Sequence, residues 1–304
     1  MQGIGGGVWP TMVTPFRSDG EVDYEALAQL VEWYIEGGVH GLFAVCQSSE
    51  MFFLGLKERI EIARFVVEKV KGRVPVIASG HTSCVMEDQI EEVKRIYETG
   101  IDAFVLVTNR LAGQEESDDV WKRNTEKLLA ANPEVSFGLY ECPYPYKRLM
   151  SPDLLAWCES TDRFLFLKDT CCDLAEMQAR LQALKGGRLQ IFNANSATLL
   201  ESLKLGVAGF SGIMANFHPE LYVWLTENWR EQPEKASELQ DFLGVASAVE
   251  AQSYPLNAKY SFQLEGIEMR LQTRAMEQGK LQPQHKLVVE QVGRLSRKFR
   301  ERIS

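Results

Sequence analysis

The sequence predicts an α/β protein, a (β/α)8 TIM barrel followed by a small C-terminal helical region. Eight short apolar runs recur over the first two thirds of the chain, each rich in Val, Ile, Leu and Phe and bounded by Gly, Pro, Asp or Asn. Their apolarity is nearly continuous rather than alternating, as in parallel strands covered on both faces. Helical patterns lie between them, and from about Phe217 the strand signals stop.

The eight runs span 8–16, 41–46, 74–80, 102–108, 135–141, 164–169, 189–195 and 208–214. Between them, 23–38 places Leu27, Leu30, Val31 and Tyr34 on one helical face and stops at Gly37. The segments 56–73 and 87–101 repeat that spacing, the second with Gly100 at its end. Segment 151–161 opens with a serine cap and a first-turn proline, and 196–207 is also serine-capped. The competing architecture, an open doubly wound sheet, calls for a Gly-rich turn after its first strand, and "TPFRSDGEVD" is not one. "GIGGG" (3–7) precedes the first run and is expected to be a flexible lead-in. The barrel is expected over 1–216 and the helical region over 217–304. The last helix, 286–303, carries six Lys and Arg against two Glu, with Leu287, Val288, Val292, Leu295, Phe299 and Ile303 as its apolar seam. It reads as a packed terminal helix with a solvated basic face, not a membrane anchor.

A chain of 304 residues with 45% apolar and 25% charged residues can bury one large core. Its net charge of −9 argues against nucleic acid or an anionic membrane as partner. No apolar run approaches the roughly 18 residues that span a bilayer, and "MQGIGGGVWP" lacks a signal-peptide pattern. A cytoplasmic location is expected. The six cysteines form no C-x-x-C pair, and Cys171 and Cys172 are adjacent, which suits a reduced compartment. Cys46, Cys142, Cys171 and Cys172 follow strand ends, but no histidine with an orienting partner points to a cysteine nucleophile, so they read as buried or pocket-side thiols. His40, His81, His218 and His285 are far apart and make no metal motif, and neither a metal nor a cofactor is expected. His81 ends the third run and is a candidate to enter the pocket. "NANSAT" and "SGIMANF" are poor phosphate cradles, so a phosphorylated sugar is not favoured.

Reactive groups of such a barrel gather at the carboxyl ends of its strands. These ends carry Thr14, Gln47–Ser48–Ser49–Glu50, Gly80–His81, Thr108–Asn109, Tyr140–Glu141, Lys168–Asp169, Asn193 and Ser211. "FLFLKD" ends a run of four apolar residues on a lysine. A lysine there either snorkels to water or is held for chemistry. Desolvation disfavours its charged form, making the amine a nucleophile that condenses with a ketone or aldehyde. Tyr140, on the neighbouring strand, is placed to face the same cavity mouth and relay protons.

These residues resemble the dihydrodipicolinate synthase and N-acetylneuraminate lyase family of pyruvate-dependent Schiff-base aldolases, from about Val8 to Ile267. "PTMVTPFRSDGEVD" is similar to the family's opening, and "GLFAVCQSSEMFFLGLKER" to its G-[TS]-T-G-E segment. "GLYECP" is similar to Y-N-x-P, "FLKDTC" to G-[IL]-K-[DE], and "LKLGVAGFSGIMANFHPEL" to the Gly-rich eighth strand and A-N-x-x-P. The resemblance implies that Lys168 forms the iminium with a keto acid and Tyr140 relays protons. It implies that Ser48 binds the keto-acid carboxylate with Gln47 as a further donor, and that Ser211 offers a backbone carbonyl. It also implies a homotetramer built as a dimer of dimers. Ser49 replaces the motif glycine and is expected to reshape that turn.

Three departures bear on the second substrate. Arg110 and Leu111 stand where dihydrodipicolinate synthases carry paired tyrosines; Pro145 replaces a carboxylate-binding arginine, with Lys147 and Arg148 following; and Glu141 replaces an asparagine. Glu141 either bonds a polyol or cationic group or forms an outward salt bridge. The reading is a lyase or hydro-lyase on pyruvate or another 2-oxo (sugar) acid. Also in view are 4-hydroxy-tetrahydrodipicolinate synthase activity, disfavoured by the departures, a 2-keto-3-deoxy sugar acid dehydratase, and a non-catalytic ligand-binding barrel.

Overall fold

The computed structural model describes residues 4–184, 186–276 and 279–303. Eight parallel strands form one sheet: β1 (Gly7–Val8), β2 (Leu42–Phe43), β3 (Val76–Ala78), β4 (Ala103–Val107), β5 (Phe137–Tyr140), β6 (Phe164–Asp169), β7 (Gln190–Asn193) and β8 (Gly209–Phe210). Their order is β1-β8-β7-β6-β5-β4-β3-β2. The sheet closes on itself where Thr11 bridges Phe43 and the amides of Met12 and Phe43 bond Phe43 O and Pro10 O. Helices alternate with the strands: α1 (Tyr24–Glu36), α2 (Leu56–Val70), α3 (Met86–Tyr97), α4 (Asp118–Ala131), α5 (Pro152–Ser160), α6 (Leu174–Ala183), α7 (Leu199–Leu205) and α8 (Pro219–Asn228). After them come α9 (Pro233–Ala246), α10 (Leu256–Leu264) and α11 (Pro283–Ile303). The (β/α)8 barrel with C-terminal helices is therefore the fold.

Local signals set several boundaries. Asp23 caps α1 by accepting from Ala26 N, and Ser151 caps α5 by accepting from Leu154 N ahead of Pro152. α4 and α6 were not singled out by spacing, because charged and apolar residues mix along both.

Three details differ from the sequence expectations. Gly7, the last glycine of "GIGGG", belongs to a strand seam rather than a lead-in, and Gly3 lies outside the described residues. Gly7 pairs with Gly209, its amide bonds Ala208 O, and a Cβ on Gly209 would lie 1.9 Å from Gly7 O. Only glycine allows the backbones so close. The helix at 219–228 closes the barrel, since its Tyr222 stacks on Phe210 of β8 at 4.1 Å. On α11, Leu287 and Leu295 are exposed, while Val288, Val292, Phe299 and Ile303 pack against the core together with the buried Val289 and Ser296, Phe299 stacking on Phe242 at 4.7 Å.

Trp9, Phe43, Phe166 and Phe192 fill the barrel interior; Phe166 stacks on Phe192 at 4.5 Å and meets Trp9 at 5.8 Å. This aromatic layer is the floor on which the site stands.

Candidate active site

Strand alternation decides which side chains reach the cavity. On β6, Phe166 points into the barrel floor, so Lys168, two residues on, points the same way above it. Leu167 and Asp169 turn out towards the helices. On β5, Gly138 and Tyr140 point in, and Leu139 and Glu141 point out. Tyr140 and Lys168 are direct partners in the β5–β6 register. The Lys168 ammonium lies 4.9 Å from the centre of the Tyr140 ring.

These two residues line a cavity of about 470 Å³ at the carboxyl ends of the strands. Gln47 and Ser48 enter it from the loop after β2, and Phe52 and Phe53 from the turn that follows. Tyr144, Lys147, Thr170, Asn195 and Ile213 come from later loops. The Tyr140 hydroxyl donates to Gln47 Oε1 at 3.2 Å, and the Cys142 thiol donates to the same oxygen at 3.2 Å. Ser48 Oγ donates to Thr11 Oγ1 at 3.2 Å and also bonds the Tyr254 hydroxyl.

Burial lowers the Lys168 ammonium from its ordinary 10.5 to about 8, against the weaker opposing pull of Cys46, Cys142 and Glu250. Burial, reinforced by the Cys142 and Cys46 thiols, pushes the Tyr140 phenol well above its usual range. A buried amine whose proton is held far less tightly than an ordinary lysine's, beside a phenol that holds its own, is equipped for carbonyl condensation and proton donation.

Other candidate positions have structural partners. Glu141 is fully buried outside the barrel wall: it accepts from Met150 N and Thr170 N, both at 2.8 Å, and pairs with Arg180 at 2.9 Å. Arg180 also pairs with Asp169. Glu141 therefore does not reach a polyol in the cavity; its outward salt bridge is what the structure contains. Burial first, and the neighbouring Asp169 second, raise its carboxyl above the ordinary value. Ser49 Oγ lies 2.7 Å from Met12 O and 2.9 Å from Ala44 O, donating its one proton between them, so its side chain braces the β2 loop beneath the cavity. Ser211 Oγ donates to Trp9 O at 2.9 Å, away from the cavity wall. His81 is buried, with Nε2 2.8 Å from Gln89 Oε1 and Nδ1 accepting from Val107 N, and it does not enter the pocket. Thr14 and Asn193 likewise serve their own loops, through Ser49 O and through Thr198 and Ser202. Arg110 lies over the Phe52 ring at 5.1 Å, and Leu111 is buried. Arg148 pairs with Asp118 at 2.8 Å, while Lys147 reaches Thr170 O at 2.9 Å. Among the described residues, no cluster of three His, Cys, Asp or Glu is placed to hold a metal, and no helix is long and apolar enough to cross a membrane.

Some of the residues that strand-end reasoning missed come from beyond the barrel. Glu250, Tyr254, Pro255, Ala275 and Met276 all line the cavity. Glu50 ties that segment down: it accepts from Lys259 Nζ at 2.9 Å, Thr273 Oγ1 at 2.7 Å, and the amides of Arg274 and Ala275. No spacing in the sequence links Glu50 to Lys259.

A closed barrel with a desolvated lysine and a tyrosine in register at its mouth defines a class, the Schiff-base barrel enzymes. The dihydrodipicolinate synthetase family model matches residues 5–291, and the chain belongs to that family. It is accordingly a class I aldolase-type lyase, of the family's pyruvate-dependent kind. Among relatives, the 4-hydroxy-tetrahydrodipicolinate synthase of Saccharophagus degradans is 29% identical over 71% of this chain and 72% of its own. That of Magnetococcus marinus is 26% identical over 93% and 97%. Among solved structures, a dihydrodipicolinate synthase from Bacillus anthracis superimposes with a TM-score of 0.86 at 20% identity, covering 95% of this chain and 97% of that one. A prophage protein of the family from E. coli K12, solved with pyruvate, gives 0.85 at 24% over 97% and 98%. These two likenesses speak to the fold.

Proposed function

We propose that the protein forms a Schiff base between Lys168 and pyruvate or a related 2-oxo acid, and makes or breaks a carbon–carbon bond through the resulting enamine. The observation that carries this reading is the buried Lys168 amine facing Tyr140 in strand register. Tyr140 supplies and recovers protons at the carbinolamine and enamine stages, with Gln47 holding its hydroxyl. Ser48 and Gln47 are the donors for the keto-acid carboxylate, and Ser211 contributes through its backbone only. The reading carries with it the family's dimer of dimers, which light scattering would measure, and a cytoplasmic location.

The relatives' name favours a second reading, 4-hydroxy-tetrahydrodipicolinate synthase activity. The site weighs against it. Pro145 supplies no guanidinium, Arg148 is committed to Asp118, and Arg110 lies on Phe52.

The test is intact mass after incubation with pyruvate and borohydride, alongside Lys168→Ala. A single reduced pyruvate adduct on the wild type that is absent from the variant is expected. No adduct with pyruvate or with longer 2-oxo sugar acids would leave a ligand-binding barrel. Assay with aspartate semialdehyde then separates the lysine-pathway reaction from other lyases.

A further inference from the structure

The strand ends provide Lys168, Tyr140, Gln47 and Ser48, but the cavity also holds a carboxylate from beyond the barrel. Glu250 sits in the short helical turn Ser247–Ala251 between α9 and α10, and lines the cavity with Lys168. The other carboxylate lining the cavity, Glu50, is saturated by Lys259, Thr273 and two backbone amides. Glu250 makes no hydrogen bond and no ion pair among the described residues, and the charged group acting on it is Lys168. Removing a carboxylate from water without a partner is costly, and here the fold bears that cost at the nucleophile. Tyr140 does not duplicate its chemistry. Its hydroxyl is spent on Gln47 Oε1, and burial keeps it protonated, so it donates a proton more readily than it takes one.

We propose that Glu250 is a catalytic residue, the base for the hydroxyl on the carbon that leaves as aldehyde, and the acid that returns that proton in condensation. The proposal rests on the Schiff-base reading above. In cleavage, C2 of the substrate is joined to Lys168 Nζ as an iminium. Glu250 takes the C4 hydroxyl proton, and the O–H electron pair becomes the second carbon–oxygen bond of the aldehyde. The C3–C4 bond breaks, and its pair enters the enamine and neutralises the nitrogen. Condensation runs the same transfers backwards. An ionised carboxylate at this place repels an anionic aldehyde, so the substrate class is a 4-hydroxy-2-oxo acid with an uncharged tail.

The experiment uses 4-hydroxy-2-oxopentanoate, which cleaves to pyruvate and acetaldehyde, with wild type and Glu250→Gln. Three readouts are compared: cleavage, borohydride trapping of pyruvate, and exchange of the pyruvate methyl hydrogens in deuterium oxide. The variant should lose about 10²- to 10⁴-fold in kcat for cleavage, the range of a positioned acid–base group, while trapping and exchange stay near wild type. Removing the carboxylate also removes one influence that raises the Lys168 pKa, so trapping is not impaired by a less nucleophilic amine. Burial raises the Glu250 carboxyl to about 7 against the opposing pull of Lys168, with the Tyr222 and Tyr254 hydroxyls as its other titratable neighbours. Wild-type cleavage should therefore rise with pH through about 7, and that limb should vanish in the variant. Equal loss of all three readouts would make Glu250 structural and overturn the proposal, as would wild-type-like cleavage by the variant. A wild type that exchanges the methyl hydrogens yet never cleaves the probe overturns it too, because a base placed for the hydroxyl should serve this simplest one. Absence of any wild-type adduct removes the Schiff-base reading itself.

Discussion

The Lys168 amine should react at neutral pH far faster than an ordinary lysine, because burial lowers its pKa. An exposed lysine with a pKa of 10.5 is a free amine in about one molecule in three thousand at pH 7. Burial brings Lys168 to about 8, which leaves about one in ten unprotonated, a gain of about 300-fold. The initial rate of borohydride-trapped adduct formation should climb through about pH 8 and then level off. The same burial has a stability cost. The unfolded chain keeps the ordinary value of 10.5, so between about 8 and 10.5 the unfolded state binds the extra proton. Stability from this group therefore rises with pH across that window, and below about 8 the full penalty stands. Lys168→Met should remove a cost of about 3 kcal/mol at pH 7, while abolishing the adduct. Urea unfolding of both proteins measures the difference. A trapping rate that keeps rising past pH 10, together with an unfolding midpoint unchanged in Lys168→Met, would refute the argument that burial activates this amine.

Three further outcomes follow from packing. Arg180→Met leaves Glu141 and Asp169 buried together without a counter-ion, and should cost about 3–5 kcal/mol in urea unfolding; a loss under about 1 kcal/mol would mean the triad is neutralised by other means. Gly209→Ala places a Cβ 1.9 Å from Gly7 O at the β1–β8 seam, and should destabilise by at least about 3 kcal/mol, read as a lowered thermal midpoint. Lys259→Met strands the Glu50 carboxylate and frees the segment carrying Thr273–Ala275. It should lower stability by about 3–5 kcal/mol and speed hydrogen exchange at the Arg274 and Ala275 amides.

What the sequence made legible follows the physics of the barrel. Eight strands covered on both faces must be apolar throughout, so their runs stand out, and a lone lysine at the end of "FLFLKD" stands out with them. Strand alternation at period two is equally legible once a strand is identified. Phe166 inward puts Lys168 inward, and Tyr140 inward puts Glu141 out. The resemblance to relatives with an asparagine after the tyrosine drew Glu141 towards the pocket, but the pleat settles it against Arg180. The first strand begins one residue ahead of its apolar run for a related reason. A strand crossing at glycine-to-glycine distance has almost no side chains, so "GIGGG" lacks the hydrophobic signal that identified the others.

The second-substrate half of the cavity was illegible for a different reason. Its residues lie on turns after α9 and α10, where neither periodicity nor the strand-end rule assigns a direction to a side chain. Glu250 falls two residues before an ordinary-looking "QSYP", and only the folded chain brings it to the cavity that holds Lys168. The two halves of the site also differ in how they are held. Lys168 and Tyr140 are fixed by paired strands over an aromatic floor, whereas Tyr254, Ala275 and Met276 hang on the Glu50–Lys259 pair and its neighbours. If Lys168 forms the proposed iminium, substitution in those turns is expected to change which second substrate is accepted without disturbing the strands that hold the lysine. On the proposed reading, iminium formation on the barrel and handling of the second substrate on the appendage are therefore separable in this chain, and the departures at Arg110, Leu111 and Pro145 lie on loops rather than in the strand core.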